Sequence, residues 1–188
     1  MLTRQLFLPD EAATLDFGRG LARATFPDAS DEASRADAAA TSSIATSSIA
    51  TPGHATVGGV IHLTGDLGAG KTTLTRGILR GFGYEGAVKS PTYTIVEPYE
   101  FDACHIYHFD LYRLASAEEV EYLGAEDYFR PPNLCIVEWA ERGEGAIPPA
   151  DLAFELVEQA GGRLLTCRAL SKKGRVIVQR MWPEGRNL

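Results

Sequence analysis

The apolar positions of this chain fall into short runs closed by turn residues, and the spacing within the runs changes along its length. Arg4 to Leu8 is a short apolar stretch ended by Pro9, after which Asp10 stands where a helix N-cap would, with Glu11 in the first turn. The spacing predicts a helix to about Thr25, with Leu15, Phe17 and Leu21 on its apolar side. Gly59 to Leu63 reads as a strand, and Thr73 to Arg80 as a helix-forming stretch. Tyr93 to Phe101 and Cys104 to Phe109 read as two strands around a turn near Asp102-Ala103. Ser116-Ala117-Glu118-Glu119 is a capping box and predicts a short helix from Ala117 to about Leu123, stopped by Gly124. Leu134-Cys135-Ile136-Val137 is continuously apolar, as expected of a central strand covered on both faces.

The remaining pattern is β. Asp151 to Glu158 alternates through Leu152, Phe154 and Leu156, and Ala160-Gly161-Gly162 turns the chain into Arg163 to Ala169, which together predict a hairpin. Ser171 to Trp182 fits two periods: Val176-Ile177-Val178 suits a strand, whereas Val178, Met181 and Trp182 suit a helix.

Between Asp28 and Thr56 the composition shifts to Ala, Ser, Thr and Asp, with Thr41-Ser42-Ser43-Ile44-Ala45 repeated as Thr46-Ser47-Ser48-Ile49-Ala50. So little apolar surface cannot offset the entropy of ordering a chain, and a disordered insertion at about 28–56 is expected. The 188 residues otherwise suit one domain, 1–188. A formal charge of −7 argues against a protein that holds nucleic acid by its own electrostatics. Cys104, Cys135 and Cys167 are odd in number and widely spaced, which points to neither a disulfide framework nor zinc and fits a reducing cytoplasm. No apolar run reaches the ~18 residues that a membrane span needs, and no basic-then-apolar leader opens the chain.

The chemistry begins at Gly65-Asp66-Leu67-Gly68-Ala69-Gly70-Lys71-Thr72, a complete G-x-x-x-x-G-K-[ST] string between the Gly59–Leu63 strand and the helix that follows. Such a loop turns successive backbone N–H groups toward one point, a lysine reaches the outer phosphates, and the threonine offers its hydroxyl to Mg²⁺. Binding alone does not hydrolyse. Two carboxylates stand at the carboxyl ends of apolar runs, where α/β sheets place ligands: Asp110 after Ile106 to Phe109, and Glu138 after Leu134 to Val137. One would serve Mg²⁺ and the other would orient the attacking water. Asp110 could instead cap a helix at Leu111 to Leu114, and Glu138 could be a solvated strand end. Ser90-Pro91-Thr92-Tyr93-Thr94 crowds three hydroxyls beside a proline and reads either as a sensor of the terminal phosphate or as a bare turn. Cys104, His105 and His108 do not form a metal cluster on this reading, because alternation sends the two histidines to opposite faces. Trp139 reads as a packed aromatic, with a wall of the nucleotide pocket as the alternative.

Gly65 to Thr73, Lys89 to Thr94, His108-Phe109-Asp110-Leu111-Tyr112-Arg113-Leu114 and Glu138-Trp139, in this order, resemble the TsaE family across nearly the whole chain outside the insertion. The resemblance implies a single P-loop domain of α/β class, with a mixed, largely parallel central sheet, helices on both faces and a C-terminal β-hairpin. It implies an ATPase required for threonylcarbamoyladenosine modification of tRNA, which acts with TsaD and TsaB and meets tRNA through that complex. ATP would be held by Asp66, Leu67, Gly68, Ala69, Gly70, Lys71, Thr72 and Thr73, with Glu11 near the adenine. Thr72 and Glu138 would serve Mg²⁺, and Lys71, Asp110 and Glu138 would carry hydrolysis.

Three other readings compete. A small-molecule kinase would need an arginine-rich lid, and Arg113 alone is a thin one. A GTPase switch is disfavoured because no N-K-x-D string occurs. In a binding module without hydrolysis, Asp110 and Glu138 would be dispensable.

Overall fold

The structure, a computed structural model, describes residues 2–26, 58–101 and 104–183. The expected insertion at 28–56 and the turn at Asp102-Ala103 lie outside the described residues. Seven strands, β1 (Leu2–Leu8), β2 (Gly59–Thr64), β3 (Val96–Phe101), β4 (Cys104–Asp110), β5 (Leu134–Glu138), β6 (Leu152–Gln159) and β7 (Gly162–Ala169), form one sheet in the order β1-β7-β6-β2-β5-β4-β3. The central four, β6, β2, β5 and β4, run parallel. Antiparallel strands close both edges, β3 beside β4, and β7 then β1 beside β6. The sheet is thus mixed with a parallel centre, as the sequence pattern and the resemblance led us to expect.

Three helices, α1 (Glu11–Ala24), α2 (Lys71–Gly81) and α4 (Lys172–Met181), cover one face. Phe17, Leu21, Leu74, Ile78 and Ile177 pack there on Ile61, Leu63, Ile136 and Phe154. Shorter pieces cover the other face: 3₁₀ turns at Ala117–Leu123 and Ala140–Gly143, and α3 (Ala125–Tyr128). Against them lie Phe109, Cys135 and Val137. Burial on both sides explains why β5 is apolar from Leu134 to Val137 instead of alternating. The three cysteines are buried, and no disulfide joins them.

Local signals set the helix ends. Asp10 caps α1 by accepting a hydrogen bond from the Ala13 N–H at 2.7 Å. Phe17 and Leu21 are buried as expected, but Leu15 is only half-buried, because Gly18 and Ala22 bring α1 close against α2. Ser171 caps α4 through the Gly174 N–H, and burial of Gly174, Ile177 and Val178 at helical spacing resolves the ambiguous tail as helix. At the hairpin, Ala160 and Gly161 have φ of 50° and 81°, a two-residue turn whose backbone matches the twist of β6 and β7.

One boundary differs. β3 begins at Val96 and not near Tyr93, because the Ile95 N–H bonds the Pro91 carbonyl at 2.7 Å and closes a turn through Thr92 to Thr94. Ile95 takes a left-handed φ of 68° to leave that turn. Pro98 is tolerated in β3 because the strand lies at the sheet edge.

Candidate functional site

The loop from Gly65 to Gly70 leaves the carboxyl end of β2, in the middle of the sheet, and enters α2. Gly65, Gly68 and Gly70 all have positive φ, at 136°, 84° and 105°. At Gly65 a side chain is excluded outright, since a Cβ there would stand 2.3 Å from the Leu156 carbonyl oxygen. Lys71, the first residue of α2, folds its ammonium back into the loop and donates to the carbonyl oxygens of Gly65 at 2.7 Å and Asp66 at 2.9 Å. Its Nζ also lies over the Trp139 ring. Burial pushes Lys71 below its ordinary pKa, and Glu138, Asp110, Glu141 and Asp66 partly offset that shift.

The two strand-end carboxylates stand side by side. Asp110 of β4 is the register partner of Glu138 of β5, and both are buried. Oε1 of Glu138 accepts from the Thr72 hydroxyl at 2.9 Å and is 2.8 Å from His108 Nε2. Oδ2 of Asp110 accepts from the hydroxyls of Ser90 and, at 2.9 Å, Thr92. Oδ1 accepts from the Tyr112 N–H at 3.0 Å and closes an Asx turn; residues 111–114 form a turn and no helix, so Asp110 does not cap a helix there. The Ser90 to Thr94 segment is therefore tied to Asp110 and is more than a bare turn.

These groups line one cleft of about 410 Å³. Leu67, Gly68, Gly70, Lys71, Thr72, Thr73, Asp110 and Glu138 converge on it. Asp66 is exposed and meets Lys71 through its main chain, while Ala69 is buried in the core beneath the loop. Glu11 lies elsewhere, paired with Arg76 at 2.9 Å across the α1–α2 seam. Trp139 packs against the second core and also forms a wall of the cleft, so the two readings of it coexist. It follows Glu138 with a left-handed φ of 59°. His105 is exposed and His108 is buried, and among the described residues no cluster of three or more His, Cys, Asp or Glu could hold a metal.

Four neighbours of the site have no role in the sequence reading, apart from Arg113 as a thin lid. His108 is one, although alternation puts it on the same face as Asp110, a signal that was available. Tyr112 and Arg113 are two more: Tyr112 meets Trp139 at 5.0 Å between ring centroids, and the Arg113 guanidinium lies 4.3 Å from the centroid of the Tyr93 ring. The fourth is Arg163 at the start of β7. It donates to Thr14 Oγ1 at 2.7 Å, and its Nε would stand 3.2 Å from a Cβ placed on Gly70. No local pattern marks such a residue.

The donor set suits a hard cation and a polyphosphate. Thr72 and Glu138 present side-chain oxygens next to each other, and Mg²⁺ takes oxygen ligands and needs only one or two from the protein beside those of a phosphate. The space around Gly68 is open, with nothing within 4 Å of where a Cβ would be.

The family described as "Threonylcarbamoyl adenosine biosynthesis protein TsaE" matches residues 35–165. The chain is 49% identical over 119 residues to the Haemophilus influenzae tRNA threonylcarbamoyladenosine biosynthesis protein TsaE, an alignment that covers 63% of this chain and 75% of the relative. It is 37% identical over 126 residues to the Bacillus subtilis protein of the same name, covering 66% and 78%. Its fold is similar to the crystal structure of Bacillus subtilis YdiB, with a TM-score of 0.65, 25% identity, and 96% and 94% of the two chains covered. A glycine loop with an inward lysine, paired carboxylates at adjacent strand ends, and these likenesses agree: the chain belongs to the TsaE family of tRNA threonylcarbamoyladenosine biosynthesis proteins.

Proposed function

We propose that the cleft binds ATP with Mg²⁺ and hydrolyses it, and that hydrolysis resets a complex with TsaD- and TsaB-like partners that modifies tRNA in the cytoplasm. The observation that carries this reading is the 2.9 Å bond from Thr72, at the start of α2, to Glu138, at the end of β5, beside the Lys71 ammonium. That arrangement joins a phosphate cradle to a metal-serving carboxylate. The loop amides and Lys71 hold the phosphates, and Thr72 and Glu138 hold the metal. Bound Mg²⁺ would neutralise charge on the phosphate oxygens. Asp110 would orient the attacking water, and the Ser90 and Thr92 hydroxyls bonded to it are the groups that would respond to the terminal phosphate. Glu11, paired with Arg76 outside the cleft, would meet the adenine beyond the phosphate cradle.

With its formal charge of −7 the chain need not touch tRNA itself, and the charge suits a basic surface on its partners. The test is ATP hydrolysis with and without TsaD, TsaB and tRNA, together with the yield of modified nucleoside over many turnovers. Stimulation by the partners with multiple turnovers is expected, and Lys71→Ala should abolish both. Indifference to the partners removes the proposal, and a phosphorylated metabolite in their place would establish the kinase reading.

A further inference from the structure

His108 lies in β4 two residues before Asp110, and its side chain is completely buried. Its Nε2 is 2.8 Å from Glu138 Oε1, while Nδ1 is buried with no hydrogen-bond partner. A carboxylate oxygen can only accept, so Nε2 carries the hydrogen. A ring kept for packing alone would be a poor choice here, since an apolar side chain of similar size fills the space without an unpaired nitrogen. What the imidazole adds is one N–H bond to Glu138.

We propose that His108 is a positioning residue of this site, whose Nε2–H fixes the orientation of the Glu138 carboxylate. The inference rests on the reading that Glu138 serves Mg²⁺. Oε1 has two side-chain partners, Thr72 and His108. Thr72 is shared with the nucleotide site, because its hydroxyl is also a metal donor. His108 is independent of the nucleotide, and its bond holds the carboxylate at one angle whether or not the cleft is filled. Groups behind a metal ligand set ligand direction in this way without touching the metal.

The test uses the full chain and three variants. His108→Gln keeps an N–H close to the place of Nε2, His108→Leu keeps volume and loses the bond, and His108→Asn keeps an amide that is too short to reach. ADP affinity is measured by calorimetry with and without Mg²⁺, beside the Mg²⁺ dependence of turnover and the melting temperature. His108→Leu should weaken the Mg²⁺-dependent part of ADP affinity, and lower turnover, by ~10-fold or more. Its metal-free ADP affinity should stay within ~2-fold, its melting temperature should not fall, and His108→Gln should recover most of the loss. If Leu or Asn matches Gln, the inference is overturned, and the comparison of Asn with Gln decides even if the Leu variant does not fold. Glu138→Gln is the reference: should it leave Mg²⁺ dependence untouched, the reading of Glu138 fails and His108 with it. A changed Glu138→Gln beside a wild-type His108→Leu removes the inference alone.

Discussion

Lys71 Nζ stands 4.3 Å from the centroid of the Trp139 ring while it donates to two carbonyl oxygens of its own loop. The ring face and the carbonyls hold the ammonium in the cleft. A cation over an indole contributes ~0.5 to 2 kcal/mol, the upper end when desolvated as here. Trp139→Leu should therefore weaken ATP affinity by roughly 3- to 30-fold, and Trp139→Phe should keep part of it, as calorimetry would show. Equal affinity in Leu and wild type would mean that the ring only packs.

The same lysine sets a pH dependence. Burial lowers its pKa from the ordinary 10.5, whereas phosphate in the cleft favours the charged form and raises it. Binding should then take up protons at alkaline pH. The nucleotide affinity is complete below the lowered pKa of the free protein and is lost as pH rises through the higher pKa of the complex. Calorimetry in buffers of different ionisation enthalpy checks the sign; proton release on binding would contradict it.

Asp110 accepts three hydrogen bonds, from Ser90, Thr92 and the Tyr112 N–H. If it only holds the turn, Asp110→Asn should be active, because the amide oxygen can still accept from Tyr112. If it supports the transition state, Asn and Ala should both lower turnover by ~10²-fold with nucleotide affinity changed only a few-fold. Single-turnover kinetics beside ADP affinity separates the two.

The α1–α2 contact predicts a stability effect that runs against helix propensity. A Cβ on Gly18 would lie 2.7 Å from the Gly77 carbonyl carbon. Overpacking of this kind costs ~1 to 3 kcal/mol, against a gain of about 1 kcal/mol for replacing glycine by alanine in a helix. Gly18→Ala should lower the melting temperature by a few degrees, because ~1 kcal/mol shifts a chain of this size by ~2 to 4 °C. A rise would show that the helices can part at little cost.

Much of this molecule is legible along the chain. The glycine loop, Asp110, Glu138 and the hairpin each rest on neighbours within a few residues, and local signals survive folding. What could not be read is what depends on pairing. Nothing local says that β2 sits between β5 and β6, or that Arg163, 149 positions from Thr14, would bond it. The β3 boundary departs from the local pattern for a related reason: Tyr93, Thr94 and Ile95 look like strand residues, but the bonds of Ser90 and Thr92 to a distant Asp110 hold the chain in a turn. His108 is no metal ligand by its spacing from His105, yet its parity with Asp110 puts it on the working face of β4.

Because Asp110 and Glu138 are register partners on parallel strands, the hydrogen-bond ladder alone fixes their spacing, and the chain joining them has no say in it. A slip of one residue would throw one carboxylate onto the opposite face. Changes of length in the connection beyond Leu114 therefore leave the spacing of the two carboxylates as it is, whereas Tyr112 and Arg113 at its start line the cleft. The ladder separates what the site must keep from what the surface is free to vary.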